Sequence, residues 1–267
     1  MRTRLSVAAI WCLLCHVAAL TAVINGTNQD PTDAPAVGFL KTDNSDCTVT
    51  LIGDRVIITA AHCIDGVPTK GTVLLDSRHV RASLYSSPLY SHAAFTKGAP
   101  PNQLDIAVGI LDEVIASVTP ATIGGLTSVG DMVTFFGYGE SSRDMSGAGQ
   151  FRKGINRITY AREDGRLMRI GPLKSNPALD NPADVGSLAA PGDSGGPVFA
   201  TDQNGRVRLL GVMSKGASRE FSSWQEPFTI AVRLDNPDSR AFLLSIATKH
   251  KLSICGISIE CPEIVLR

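Results

Sequence analysis

The chain is a succession of short apolar segments separated by turn residues. Segments rich in valine, isoleucine, leucine, threonine and phenylalanine are broken by glycine, proline, asparagine and aspartate. Regularly spaced short strands are typical of an all-β barrel or sandwich, and not of alternating β–α–β units. By contrast, residues 140–154 are predicted to form a long exposed loop. The clearest candidate strands are Thr48–Ile52, Arg55–Thr59, Thr72–Leu75, Ile106–Leu111, Met132–Phe136, Val207–Val212 and Phe228–Val232.

Near the C-terminus the apolar period changes from that of a strand to that of a helix. Asn236 is a suitable N-cap and Pro237 a suitable first helical residue. The pattern therefore predicts a helix over residues 236–250 and a tail over 251–267. The apolar residues that recur at helical spacing are Phe242, Leu243 and Ile246.

The first 22 residues have a different composition. Arg2 and Arg4 precede an apolar run from Leu5 to Ala19, and Ala22 ends the segment with a small side chain. A basic start, a short apolar core and a small final residue are features of a secretory signal peptide. The apolar run is also short for a membrane span. We therefore predict residues 1–22 to be a signal peptide, and the mature protein to be secreted, extracellular or periplasmic, and not held in the membrane.

Charge and cysteine content narrow the class of protein further. The chain has 25 basic and 25 acidic residues, so no positive surplus suggests a nucleic-acid partner. Past the predicted signal, an even number of cysteines remains, which in an exported protein suggests disulfides. Their spacing is not the C-x-x-C of zinc sites, and we expect neither a metal nor a cofactor. The four cysteines are Cys47, Cys63, Cys255 and Cys261.

Three short motifs carry the residue types of nucleophilic serine chemistry. T-A-A-H-C contains His62, Q-L-D-I-A contains Asp105, and G-D-S-G-G-P contains Ser194. A serine hydroxyl needs a neutral imidazole to take its proton, and a buried carboxylate to orient that imidazole. Glycines let backbone N–H groups turn toward the developing oxyanion. Each motif alone is more typical of a turn, a cap or a structural histidine, but together they predict a catalytic triad.

The serine motif also fits the G-x-S-x-G elbow of α/β-hydrolases. That elbow needs a helix directly after the serine, with the acid and the histidine downstream. Here a strand-like Val198-Phe199 follows Ser194, and the only histidine downstream is His250. The elbow interpretation is therefore excluded.

The three motifs resemble those of the chymotrypsin/trypsin-like family of serine endopeptidases, over nearly all of the mature chain. The resemblance implies two six-stranded antiparallel β-barrels, approximately 23–125 and 126–235, followed by the C-terminal helix. It also implies a monomeric hydrolase that cuts protein or peptide substrates through an acyl-enzyme. Further matches to the family are Val23-Ile24-Asn25-Gly26, Gly137-Tyr138-Gly139 and Gly211–Gly216.

The same resemblance implies a role for each matching residue. Ser194 would be the nucleophile, His62 the general base and then acid, and Asp105 the orienting carboxylate. The backbone N–H groups of Gly192 and Ser194 would form the oxyanion hole, while Ser214 and Gly216 would hold the substrate backbone in extended form.

Further roles concern the cysteines and the mature amino terminus. Cys47 would pair with Cys63 beside the histidine, and a Cys255–Cys261 bridge would close a short loop after the helix. Asp193 would take a salt bridge from the α-amino group of Val23. Because Ala22 directly precedes Val23, signal cleavage alone would expose that amino group. We therefore expect a protease without an inhibitory propeptide.

Three positions depart from the family pattern around the substrate. Leu188 stands where an aspartate gives trypsins their preference for Lys or Arg, so we expect an apolar or small residue before the scissile bond. Ala190 replaces a cysteine that braces the pocket. Lys215 replaces an aromatic residue before Gly216, and either favours acidic or polar substrates or is a solvated surface lysine. The alternative function is an inactive protease homologue that binds or inhibits without cutting.

Overall fold

The computed structural model describes seven stretches of the chain, and the predicted signal peptide lies outside them. Within these stretches the backbone forms thirteen strands, two short 3-10 turns and two helices. All seven strands predicted from the apolar segments coincide with observed strands. The described residues are 23–65, 69–97, 103–126, 128–140, 149–171, 186–216 and 228–266.

The first barrel consists of six antiparallel strands. They are β2 (Val37–Lys41), β3 (Asp46–Gly53), β4 (Val56–Thr59), β5 (Thr69–Leu75), β6 (Arg78–Ser86) and β7 (Ala107–Leu111). Their order around the closed barrel is β2-β3-β4-β7-β6-β5. In β6 buried positions alternate with more exposed ones, the two-residue period of a strand with one face in the core. In β4 and β7 every residue is buried, so both faces of these two adjacent strands are shielded from solvent.

The second barrel is built from the other half of the chain. Its strands are β8 (Met132–Gly137), β9 (Arg152–Ala161), β10 (Leu167–Ile170), β11 (Pro197–Thr201), β12 (Val207–Lys215) and β13 (Thr229–Arg233). They follow the order β9-β10-β13-β12-β11-β8, and pairing of β8 with β9 closes the barrel. The predicted architecture of two six-stranded barrels is thus confirmed.

A short N-terminal strand, β1 (Thr27–Asn28), joins the second barrel and not the first. It pairs antiparallel with β9, with Asn28 opposite Arg152. The sequence placed residues 23–125 with the first barrel, but no apolar period can show which sheet a two-residue strand joins. The start of the described chain is therefore attached to the second barrel, whose strands come from the C-terminal half of the chain.

The predicted exposed loop over 140–154 is wrong at its C-terminal end. Phe151 is buried and stacks on Phe136 with ring centroids 5.5 Å apart. Arg152, the first residue of β9, is only 3% exposed. The Arg-Lys-Gly composition suggested a solvated loop, yet the strand is buried because it closes the barrel. Residues 141–148 lie outside the described part of the chain.

Two helices complete the described structure, α1 (His92–Thr96) and α2 (Pro237–His250). As predicted, Asn236 caps α2, since its side-chain oxygen accepts the Ser239 N–H at 2.9 Å. The helix ends at Lys251, whose backbone is left-handed. Neither described helix is long and apolar enough to cross a membrane. The apolar residues predicted to face the core, Phe242, Leu243 and Ile246, are buried.

Candidate active site

Strand pairing in the first barrel brings His62 and Asp105 together. His62 lies in the 3-10 turn directly after β4, and Asp105 lies just before β7. Because β4 and β7 are neighbours, these strand ends meet. One oxygen of Asp105, Oδ1, accepts the backbone N–H of His62 at 2.9 Å, and Oδ2 lies 2.8 Å from His62 Nδ1. A carboxylate can only accept, so this contact places the neutral imidazole's proton on Nδ1 and leaves Nε2 as its basic nitrogen.

The second barrel contributes another hydrogen bond to the same carboxylate. Ser214, near the end of β12, donates its hydroxyl to Asp105 Oδ2 at 2.6 Å. Asp105 is 3% exposed, and a buried polar group is stabilised by such hydrogen-bond donors. His62, Asp105 and Ser214 therefore form one hydrogen-bonded group that spans the two barrels.

Ser194 lies in the turn before β11, and its backbone is hydrogen-bonded to β3 of the first barrel. The carbonyl of Ser194 accepts the Thr48 N–H at 2.8 Å and lies 3.8 Å from the sulfur of Cys63. Since Cys63 follows His62 in sequence, this contact sets the serine segment beside the histidine turn. The structure thus brings the residues of the three predicted motifs to the junction of the barrels.

Both predicted disulfides are present. Cys47 and Cys63 join β3 to the histidine turn with their Cα atoms 6.3 Å apart, and Cys255–Cys261 closes a short loop after α2. The two sulfurs of the first bridge and a ring nitrogen of His62 lie within 4.8 Å of one another. A disulfide offers no thiolate to a metal ion, so this group does not constitute a metal site.

In the turn around Ser194, some backbone N–H groups are hydrogen-bonded within the protein and others are not. Asp193 donates to Ala190 at 3.0 Å, and Gly195 donates to Met213 at 2.7 Å. Among the described residues, the N–H groups of Gly192 and Ser194 donate to nothing within the protein. Such unpaired backbone donors are available to an anionic ligand.

Glycine is required at two positions of this turn. Gly192 has φ of +90° and Gly195 has φ of +83°, values that favour glycine. A side chain at Gly195 would also collide with the hydroxyl of Thr59 and the carbonyl of Thr48. The turn can therefore press against the first barrel only because these side chains are absent.

Asp193 is completely buried beneath the same turn. Its Oδ1 accepts the Gly139 N–H at 2.9 Å and its Oδ2 accepts the Ala190 N–H at 2.8 Å. Burial raises the pKa of Asp193 to about 7, although both N–H donors and the charge of Arg152 act to lower it. The carboxylate is thus costly to keep ionised in this form of the chain.

Val23, the predicted partner of Asp193, is also buried. Its side chain packs in the core of the second barrel with Val133, Phe135 and Ile158. In the full chain its nitrogen is still in peptide linkage to Ala22, so it carries no positive charge.

The predicted substrate-binding residues differ in how deeply they are buried and in what they contact. Leu188 is fully buried, and its N–H donates to the carbonyl of Ile24 at 3.0 Å. Gly216 lies so close to Ala189 that a side chain there would collide with the Ala189 carbonyl. Lys215 is half-buried at the end of β12. Residues 217–227, which follow Gly216, lie outside the described part of the chain.

Sequence reasoning missed Thr48, which links the first barrel to the serine turn. Its hydroxyl donates to the carbonyl of Gly192 at 3.0 Å and accepts the N–H of Tyr138 at 3.1 Å. Threonine is an ordinary strand residue, so its type gave no signal of this role.

The chain is similar in sequence and in fold to known proteins. A family model described as Trypsin matches residues 23–233. The chain is 27% identical over 216 residues to the cercarial protease of Schistosoma mansoni, covering 71% of this chain and 78% of that protein. A solved structure of a Glu endopeptidase in complex with MPD aligns with a TM-score of 0.59 and 21% identity, covering 84% of this chain and 96% of that one. This last likeness shows a shared fold.

Proposed function

The chain belongs to the trypsin family and is a serine endopeptidase, and we propose that it cleaves peptide bonds with Ser194, His62 and Asp105. The observation that carries this proposal is the hydrogen-bonding of Asp105, which accepts from the backbone N–H and the Nδ1–H of His62 and from the hydroxyl of Ser214. This arrangement orients the imidazole with Nε2 as the nitrogen that can take a proton from a hydroxyl.

The proposed reaction has two halves. Ser194 Oγ attacks the substrate carbonyl while His62 Nε2 takes its proton, and the N–H groups of Gly192 and Ser194 stabilise the oxyanion. His62 then gives the proton to the leaving amine, and the peptide bond breaks to leave an ester on Ser194. A water molecule attacks this ester with His62 again as base, which releases the carboxylic acid and restores the hydroxyl.

We propose that the residue before the scissile bond is apolar or small. Leu188, Ala189 and Ala190 precede the serine turn, and none carries a charge that could pair with a basic side chain. The strand of Ser214 and Gly216 would hold the substrate backbone in extended form.

The test of this function is labelling with a fluorophosphonate probe, which reacts with activated serines. The protein beginning at Val23 should be labelled once per molecule, and mass spectrometry should place the adduct on Ser194. The same protein unfolded in denaturant is the control and should stay unlabelled, because activation depends on the folded geometry. A folded protein that is not labelled would instead support the inactive homologue that only binds.

We further propose that the protein is secreted and that signal cleavage after Ala22 activates the catalytic site. The freed ammonium of Val23 would then pair with the Asp193 carboxylate. Because Val23 is already seated in the second barrel, this pairing needs only a local adjustment of the segment.

A pH dependence of stability follows for the uncleaved chain. The pKa of Asp193 is about 7 in the folded protein against an ordinary 3.8, so the folded state binds more protons than the unfolded state between these values. The stabilising contribution is therefore complete below pH 3.8 and is lost as pH rises through about 7. It is worth on the order of 4 kcal/mol.

Thermal unfolding measured from pH 4 to pH 8 would check this expectation. The Tm of the uncleaved chain should fall across that range, and an Asp193→Asn variant should show a flatter profile. In the form beginning at Val23, the ammonium lowers the pKa of Asp193 and the profile should also flatten. If the three proteins gave parallel profiles of Tm against pH, the pH dependence of stability could not be due to the raised pKa of Asp193.

A further inference from the structure

Arg152 is a buried cation at the start of β9. It is 3% exposed, although arginine is rarely buried without partners. Its Nε donates to Asn28 Oδ1 at 2.7 Å, and its Nη2 donates to Gln150 Oε1 at 2.6 Å. Both acceptors are uncharged amide oxygens, so these two contacts orient the guanidinium without neutralising it.

The strand register places Arg152 next to Asp193. Arg152 lies directly opposite Gly137 in the β8–β9 pair. A side chain built on Gly137 would run into the Asp193 carboxylate, so that carboxylate occupies the space in front of Gly137. Residues directly opposite in an antiparallel pair point to the same face, with Cβ atoms about 5 Å apart. The side chain of Arg152 therefore leaves β9 on the face where the carboxylate lies.

The charges around this carboxylate act in opposite directions. Arg152 lowers the pKa of Asp193, while Glu140, from the segment after β8, raises it. The attraction is mutual, since Asp193 raises the pKa of Arg152 against the effect of burial. Among the described residues, these are the charged groups that bear on Asp193. Arg152 is therefore its counter-charge while the nitrogen of Val23 remains a peptide amide.

From this geometry we propose that Arg152 is a positioning residue: it keeps a fraction of Asp193 ionised at neutral pH, and the serine turn partly ordered, before the ammonium of Val23 exists. An ionised Asp193 accepts the N–H groups of Gly139 and Ala190, and Ala190 begins the turn that carries Gly192 and Ser194. A protonated Asp193 would present an O–H toward these donors and loosen the turn. The chain therefore has partial activity before its terminus is released. This inference rests on the proposed role of the turn in catalysis.

The test compares wild type and Arg152→Gln in two forms of the protein. One form begins at Val23, and the other carries a short glycine-serine peptide before Val23, so that no ammonium can form there. Carbon-13 NMR of the Asp193 carboxyl, assigned with Asp193→Asn, gives its titration midpoint without reference to activity. In the extended form, Arg152→Gln should raise this midpoint by about one pH unit or more, and Arg152→Lys should restore most of it.

A matched control is available on the same strand. Arg157 also lies in β9, five positions on and therefore on the opposite face, and donates to the Gly130 carbonyl at 2.9 Å. Arg157→Gln should leave the Asp193 midpoint unchanged. Should Arg152→Gln fail to fold, Asn28→Ala removes one acceptor that orients Arg152 and should move the midpoint in the same direction by less.

Fluorophosphonate labelling of the same proteins gives the functional readout. The extended wild type should be labelled measurably, the extended Arg152→Gln at least about tenfold more slowly, and the forms beginning at Val23 should differ less. An unchanged midpoint in Arg152→Gln, or an equal shift in Arg157→Gln, would overturn the inference, as would an extended wild type that is inert beside an active Val23 form. If the Val23 form itself is not labelled, the proposed function fails, and the titration still reports on Arg152.

Discussion

Replacing Ser194 with alanine should lower kcat by about a million-fold while leaving the fold intact. The variant loses the oxygen that we propose carries the acyl group, and removal of a triad nucleophile in comparable enzymes lowers kcat by about this factor. The backbone N–H groups of the turn remain, so a small residual rate above the uncatalysed one should persist. Steady-state hydrolysis of a peptide library, followed by mass spectrometry, would measure the loss.

The control for this change is Ser83→Ala, which removes a half-buried serine hydroxyl from β6 of the first barrel. That variant should retain wild-type kcat. A Ser194→Ala protein with more than about one per cent of wild-type activity would show that another group is the nucleophile.

The second large effect is expected for Asp105→Asn, with kcat reduced about ten-thousand-fold at neutral pH. Asparagine has nearly the same shape but only one side-chain acceptor, whereas Asp105 accepts three hydrogen bonds. If the amide NH2 faces His62 Nδ1, the ring proton moves to Nε2, which can then no longer accept a proton from Ser194. The substrate contacts are untouched, so KM should change little.

Asp112→Asn is the matched control, since Asp112 is an exposed aspartate just beyond the other end of β7. It should leave both kcat and KM unchanged. If Asp105→Asn kept kcat and raised KM instead, Asp105 would act in substrate binding, and the proposed triad would be wrong.

Much of the fold could be predicted because many of its strands are marked by a local pattern, a short apolar segment between turn residues. Segments such as Met132–Phe136 are apolar, bounded by turn residues and of strand length, and each of the seven segments predicted in this way coincides with an observed strand. The motifs that contain His62 and Ser194 are equally local, because the chemistry itself fixes their neighbours. For these features the sequence contains the determining information within a few residues.

The features that sequence analysis missed depend on contacts between distant segments. Thr48 acquires its role through hydrogen bonds to Gly192 and Tyr138, and nothing adjacent to it indicates either partner. Arg152 stands in a polar segment that is typical of a loop, and only the closure of the second barrel buries it. Neither the hydrogen bonds of Thr48 nor the burial of Arg152 is marked by a hydrophobic period or a sequence motif. Neither could therefore be predicted from one sequence.

The pairing of β1 with β9 has a consequence for the order of events during synthesis. The strands of the first barrel end at Leu111, so that barrel can close before Arg152 has left the ribosome. The segment after Val23 has no strand partner until β9 emerges, and the serine turn is made later still. The segment after Val23 is therefore synthesised before either barrel but is among the last described segments to gain its strand partner.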